Sequence, residues 1–267
     1  MIGRLEKLLK FLDGSNMKKT SIVIPARNEA ETLPLTLEKI GQAFQNKQRD
    51  YEILVVNDGS SDGTAEVVRQ MSQKDQSIRL LDNQPPYGFG SAIKKGLDHY
   101  AGDYVMIAMA DLSDDPKDML KYIKQLDRGY DCCFGTRWVR GAKVEGYPAL
   151  KLVLNRVVNT CIGLLFGIRY TDITNAFKCY TRETIEGIKP VLSRHFNITV
   201  ELPLKAIVRG YSYKIVKTNW RERKKGVSKL KIQEMGSRYL FIVIYVFLEK
   251  LLCGSDYKKV RPDPEQR

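Results

Sequence analysis

The sequence predicts an α/β protein with a mostly parallel sheet flanked by helices. Two observations point there. Between residues 21 and 135, short apolar runs alternate with stretches of helical length, the pattern of strands feeding a doubly wound parallel sheet. The run at 104–109 is apolar throughout and stops at Asp111, Ser113, Asp114 and Asp115. Strands buried on both faces read as such runs, and in open α/β sheets the ligand crevice lies just outside their carboxyl ends.

The elements follow in order. Residues 1–13 carry Leu5, Leu8, Leu9 and Leu12 at helical spacing with Arg4, Lys7 and Lys10 between them, and Asp13-Gly14 ends the pattern. Such a basic amphipathic helix can lie on a membrane or pack on its own protein. Strands are expected at 21–25, 51–57, 78–81 and 104–109, and helices at 31–44, 61–72 and 90–100. A helix at 118–126 and a strand at 131–135 follow. Beyond Arg137 the spacing predicts helices at 150–166 and 200–208, strands at 177–180 and 211–218, and a last apolar helix at 235–252. A polar tail from Gly254, with Pro262 and Pro264, is expected to be loose. The division is thus an N-terminal amphipathic extension (1–17), a main domain (18–232), and a C-terminal apolar helix with its tail (233–267).

At 267 residues, 43% hydrophobic and 28% charged, the chain is long enough to bury a full core in one or two domains. Its net charge of +13 suits an anionic partner (nucleic acid, a phosphorylated ligand or an anionic membrane) or simple solubility. Five cysteines, an odd number without a CxxC, predict reduced thiols in a cytosolic compartment and no zinc site. With only His99 and His195 present, histidine chemistry is disfavoured. The uncharged stretches 157–168 and 239–248 fall short of the ~20 residues that span a bilayer. No signal peptide is expected either, so any membrane association would be peripheral.

Polar clusters follow each of the first four strands: PARNE at 25–29, NDGSSDGT at 57–64, YGFG at 87–90 and the acids from Asp111. Each alone is explained by turn chemistry, and the last also by an N-cap followed by Pro116. All four on one sheet edge describe a ligand crevice. Oxygen donors at Asp111 and Ser113 suit Mg²⁺ or Mn²⁺. GxxxxGK[ST] is absent and Gly88/Gly90 do not complete GxGxxG, which disfavours P-loop and dinucleotide enzymes.

SIVIPARNE (21–29), VVNDGSSDGT (55–64) and MADLS (109–113) resemble the family 2 inverting glycosyltransferases of GT-A fold. GTR (135–137), EGYP (145–148), NR (155–156), DITNAFK (172–178) and RKKGVSKL (223–230) resemble the dolichyl-phosphate mannose synthases and related polyprenyl-phosphate glycosyltransferases. The resemblance implies a GT-A fold and transfer of a hexose from a GDP-mannose or UDP-glucose type donor to a polyprenyl phosphate. It implies that Pro25, Arg27, Glu29, Val56 and Asp58 hold the base and ribose. Ala110 and Asp111 would lie at the diphosphate, with Asp111 on the metal. Arg137, Arg223 and Lys229 would bind donor or acceptor phosphates, and Arg156 the lipid phosphate. Two positions depart from the pattern. The first acid of the usual Asp-Ala-Asp is Met109, and a Tyr near the base is Arg27.

The chemistry is coherent. A cation at Asp111 with Arg and Lys nearby would stabilise a diphosphate leaving group. A lipid phosphate is already anionic and needs no general base. Arginine's planar fork suits phosphate, although the basic run 221–231 also reads as a solvated face. A polyprenyl tail requires the site to approach the bilayer, with 150–166 and 239–252 as interfacial candidates. The same donor chemistry on a sugar or glycolipid hydroxyl would need a base, for which Asp114, Asp115 and Glu201 are candidates. A nucleotide-sugar or lipid-phosphate binding protein, and more remotely a nucleic-acid binder, complete the alternatives.

Overall fold

The structure, a computed structural model, describes residues 18–221 and 232–259. The expected helix at 1–13, Arg223, Lys229 and the prolines of the tail lie outside the described residues.

A seven-stranded sheet forms the centre. Its strands are β1 (Thr20–Ala26), β2 (Tyr51–Asn57), β3 (Ile78–Asp82), β4 (Tyr104–Ile107), β5 (Cys132–Thr136), β7 (Lys178–Thr181) and β8 (Tyr213–Lys217), in the order β3-β2-β1-β4-β7-β5-β8. All neighbours are parallel except β7, which runs antiparallel to both β4 and β5. A two-stranded piece pairs β6 (Val144–Glu145) with β9 (Trp220–Arg221). The helices are α1 (Leu33–Gln45), α2 (Thr64–Lys74), α3 (Phe89–Leu97), α4 (Pro116–Asp127), α5 (Ala149–Phe166), α6 (Arg182–Gly187), α7 (Ile198–Val208) and α8 (Ile232–Leu252). The short β6, β9 and α6 were not expected from the sequence.

The two faces of the sheet carry separate cores. Ile22, Ile24, Ile53 and Val55 pack with α1 and α4 residues on one face. Val23, Leu54 and Val56 pack with α3, α7 and α8 residues on the other. This is the period-2 alternation of a strand with both faces apolar, each buried aliphatic side chain contributing about 1.5–3 kcal/mol.

Two expectations are corrected. β4 ends at Ile107, not Met109, because its ladder to β7 stops at the Ile107–Lys178 pair. The start of the tail is held: Lys259 ion-pairs with Asp131 and Glu183, its N–H donates to Arg209 O at 2.7 Å, and Arg209 stacks on Tyr257. α5 alone among the described helices reaches the length and composition of a membrane span, and only marginally, so the expectation of no clear span stands. Its 18 residues reach the lower edge of a span, Lys151 and Arg156 interrupt it, and most of its surface is unburied.

α7 is buried along residues 198–206 although Pro203 lies inside it. A helical proline withholds the N–H that would serve the carbonyl four residues back, here Thr199. Lys178 Nζ donates to that carbonyl at 3.1 Å.

Candidate active site

The loops after β1 and β2 are knitted together at the sheet edge. Asn28 adopts a left-handed backbone (φ 54°), a conformation Asn tolerates. Its N–H donates to Ser60 Oγ and its side-chain oxygen accepts from Ser61 N–H at 2.8 Å. Glu29 N–H donates to Thr64 Oγ1 at 2.9 Å, and Ala30 N–H to Asp62. Asp58 is buried at the end of β2, and one carboxylate oxygen accepts from Asn83 Nδ2 (2.8 Å) and Gly88 N–H (3.0 Å). The turn after β3 therefore orients Asp58. Gly59 (φ 68°) lies under Tyr87, whose ring would stand 2.6 Å from a Cβ there, so glycine is required. The Arg27 guanidinium lies 5.8 Å from the Tyr87 ring centroid. Pro25 is buried in β1 and Val56 is fully buried in the core, so neither side chain is exposed at the edge.

The acid loop follows β4. Ala110 is buried, and its carbonyl accepts from Thr36 Oγ1 of α1 at 2.8 Å. The Asp111 carboxylate accepts from Ser113 N–H at 3.0 Å. Leu112 between them has φ 55°, a left-handed conformation that costs a non-glycine residue about 1–2 kcal/mol. Asp115 caps α4 by accepting from Lys117 N–H. The expected N-cap and the candidate ligand positions thus coexist. Asp114 is buried, and its carboxyl is pushed up to about 7 by burial and by the charge of Asp111, with Arg137 opposing.

Ser113 O accepts from Arg221 N–H at 3.1 Å. Arg221, the first residue of the basic run 221–231, is thereby held against the acid loop. Arg221 itself ion-pairs with Glu145 at 2.6 Å.

Arg137 follows β5 and is buried in a two-pronged pair with Asp172, at 2.9 Å from Nε and 2.7 Å from Nη2. Arg137 N–H donates to the same carboxylate. Burial opposes the guanidinium charge, but Asp172 outweighs it and the pKa is raised. Trp138 and Tyr147 flank the guanidinium at 5.5 and 5.4 Å.

The loop carrying Asp172 is tied to α5. Asn159 Oδ1 accepts from Ile173 N–H at 2.6 Å, Asn155 Nδ2 donates to Thr174 Oγ1 at 2.7 Å, and Trp138 Nε1 donates to Asn155 Oδ1. Arg156, on the same helix, donates to Thr171 O at 3.2 Å. Lys178 Nζ holds the other side of the loop through Ile173 O (2.9 Å) and Asn175 O.

The structure thus brings Arg27, Glu29, Asp58, Ala110, Asp111 and Ser113 to one sheet edge, and Arg137 and Arg156 to the loop 171–174. Glu201 does not join them. It is fully buried, pairs with Lys205 at 2.8 Å and accepts from Leu192 and Ser193 N–H, which corrects its candidacy as a base. Asp172, Thr36, Asn159 and Lys178 were given no role from the sequence. Only Asp172 and Lys178 carried a signal, as the ends of DITNAFK.

The match to known proteins is now interpretable. The model of glycosyl transferase family 2 matches residues 21–188, from β1 to just past α6. This chain belongs to glycosyl transferase family 2. Polyprenol monophosphomannose synthase of Mycolicibacterium smegmatis is 32% identical over 219 residues, 80% of this chain and 81% of that protein. Among solved structures, glucosyl-3-phosphoglycerate synthase from Mycobacterium tuberculosis with Mn²⁺ and UDP-glucose superposes with a TM-score of 0.66, at 18% identity over 99% of this chain and 85% of the other. The same synthase with UDP gives 0.63 at 17% identity, over 92% and 82%. At that identity the likeness shows the fold, a mostly parallel mixed sheet of GT-A type.

Proposed function

We propose that this glycosyltransferase moves a hexose, with inversion, from a nucleotide sugar of GDP-mannose or UDP-glucose type to polyprenyl or dolichyl phosphate, working peripherally at the cytoplasmic membrane face. The observation that carries the acceptor is the construction of α5. Leu150, Val153, Leu154, Val157 and Leu164 are all exposed along it, yet Asn155 and Asn159 bind the helix to the loop that holds Arg137. A lipid chain lying along that apolar face delivers its phosphate to Arg156 and the Arg137 loop. The M. smegmatis relative's name, with its polyprenol acceptor, agrees.

In this reading Arg27, Glu29 and Asp58, with the main chain of Pro25 and Val56, bind the base and ribose. Ala110 and Asp111 meet the diphosphate, and Arg223 and Lys229, which lie outside the described residues, bind donor or acceptor phosphates. Arg137 and Lys229 also meet the acceptor phosphate, with Arg156. Met109 offers no hard oxygen, so the protein donors are few: the Asp111 carboxylate and Ser113. That set fits Mg²⁺ or Mn²⁺, which commonly bind one or two carboxylates plus substrate phosphates. Bound there, the metal would neutralise charge on the leaving diphosphate. The acceptor phosphate attacks without losing a proton, so no base is assigned.

A donor panel tests this. Purified protein, polyprenyl phosphate and Mg²⁺ or Mn²⁺ are offered labelled UDP- and GDP-hexoses. Label entering the organic phase from one donor is the expected result, and no transfer from any donor overturns the reading. A second reading, transfer to a hydroxyl, is favoured by one observation: Asp114, with a carboxyl near 7, is poised as a base. An acidic limb in the pH–rate profile that vanishes in Asp114→Asn would select it.

A further inference from the structure

Three aromatic rings join the acid loop to the arginine side of the site. Trp220 in β9 pairs with Asp114 across an isolated β-bridge, and the N–H of its neighbour Arg221 donates to Ser113 O. Tyr147, just past β6, packs edge-on against Trp220 with ring centroids 5.1 Å apart, and against Trp138 at 5.2 Å. Trp138 and Tyr147 in turn flank the Arg137 guanidinium. All three residues are half-buried, so part of each ring faces outward. The two tryptophans are the only ones in the chain, and they differ at the indole nitrogen. Trp138 Nε1 is spent on Asn155 of α5. Trp220 Nε1 makes no hydrogen bond among the described residues.

In the transfer reaction proposed above, the group lying between the leaving diphosphate at Asp111 and the acceptor phosphate at Arg137 is the hexose. A sugar ring is amphipathic: its C–H face packs on an aromatic surface, and its rim carries hydroxyls. A tryptophan with a spare N–H offers both an apolar surface and a donor. An isoprene chain would give that N–H no acceptor. We propose that Trp220, buttressed edge-on by Tyr147, is the platform for the transferred hexose. Its ring takes the C–H face, and Nε1–H donates to a sugar hydroxyl oxygen. Trp138, with its N–H engaged, supports Tyr147 and Arg137 instead. This assignment rests on the transferase reading and adds to it the residue that holds the transferred group.

The test is equilibrium binding to the full chain, by calorimetry with Mg²⁺ and without acceptor. UDP-glucose is compared with UDP, and GDP-mannose with GDP. For the pair that wild type binds, Trp220→Leu should weaken the nucleotide sugar about tenfold and leave the diphosphate within twofold. Binding of the diphosphate is also the folding control, since it uses the same sheet edge. Trp220→Phe, which keeps a ring but no N–H, should lose less. Equal losses for sugar nucleotide and diphosphate, the mark of a structural role, overturn the proposal. So does an unchanged affinity of Trp220→Leu for the nucleotide sugar, or a Trp220→Phe no better than Trp220→Leu. Fluorescence gives a second reading with Trp220 in place. In Trp138→Phe it is the sole tryptophan, and its emission should shift with the nucleotide sugar beyond any change the diphosphate causes; identical changes overturn the proposal. A raised KM for polyprenyl phosphate in Trp220→Leu, with nucleotide-sugar affinity intact, would assign the ring to the lipid and overturn it too. Failure of wild type to bind either sugar nucleotide would bring down the transferase reading as well, whereas the other adverse results fall on Trp220 alone.

Discussion

In the acid loop Met109 occupies the position of the usual partner acid of Asp111, and Ser113 offers only neutral oxygen. Two outcomes follow. Asp111→Asn keeps the Ser113 N–H bond but removes the charge, and transfer should fall by about 100-fold or more, measured as label entering polyprenyl phosphate. Met109→Asp should tighten Mn²⁺ binding in the absence of donor, read by titration of the free-ion resonance. A third prediction concerns Glu52, buried between β1 and the turn before β4. Its oxygens accept from Ser21 Oγ, Ala101 N–H and Arg79. Burial pushes its pKa up, but these bonds and the charge of Lys19 outweigh it, and the net shift is below the ordinary 4.5. A carboxylate with a depressed folded-state pKa stabilises fully above its unfolded value and loses that contribution as pH falls through the folded one. The cost of Glu52→Gln, measured by urea denaturation, should therefore be largest near neutrality and shrink below about pH 4.

At the scale of elements, the polar strand ends were legible from local turn chemistry, whereas Arg137 and Arg156 were named only through the resemblance and the partner of Arg137 was not named at all. Strand ends with Asn, Asp, Gly and Ser can be read from composition, because local turn chemistry selects those residues. The Arg137–Asp172 pair joins residues 35 apart, and nothing local marks Asp172 as its partner. Lys178 shows the same limit. A lysine in an apolar run reads as an edge residue, yet here it is buried, its ammonium drawn down to about 7 by burial with Asp172 opposing. It serves three carbonyls, one of them freed by Pro203. Lys178→Met should strip those carbonyls and destabilise the protein by about 3–5 kcal/mol. Asn159→Ala, which frees Ile173 N–H, should cost about 1–3 kcal/mol and lower transfer as the 171–174 loop loosens. Urea denaturation gives the first quantity for each variant, and the organic-phase assay gives the second.

Across the whole molecule, the proposed peripheral reading would use the net charge of +13 and the exposed apolar residues on α5 and α8 against an anionic bilayer. Association with anionic vesicles should weaken as salt rises from low to physiological ionic strength, because exposed charges are screened beyond about 8–10 Å; sedimentation across a salt series measures this. The sequence alone determined the α/β class, the parallel order of the early strands and the four polar strand ends. These depend on the period of apolar residues and on turn preferences, both local. Tertiary structure decided the rest. It set β7 antiparallel between β4 and β5, ended β4 at Ile107, committed Glu201 to the core and gave Arg137 its partner. It also buried Ser193 Oγ and Asn197 Oδ1 with no hydrogen-bond partner among the described residues. Those outcomes depend on which distant groups meet once both faces of the sheet are covered, and pairing of buried charges and carbonyls is satisfied by proximity in space rather than along the chain.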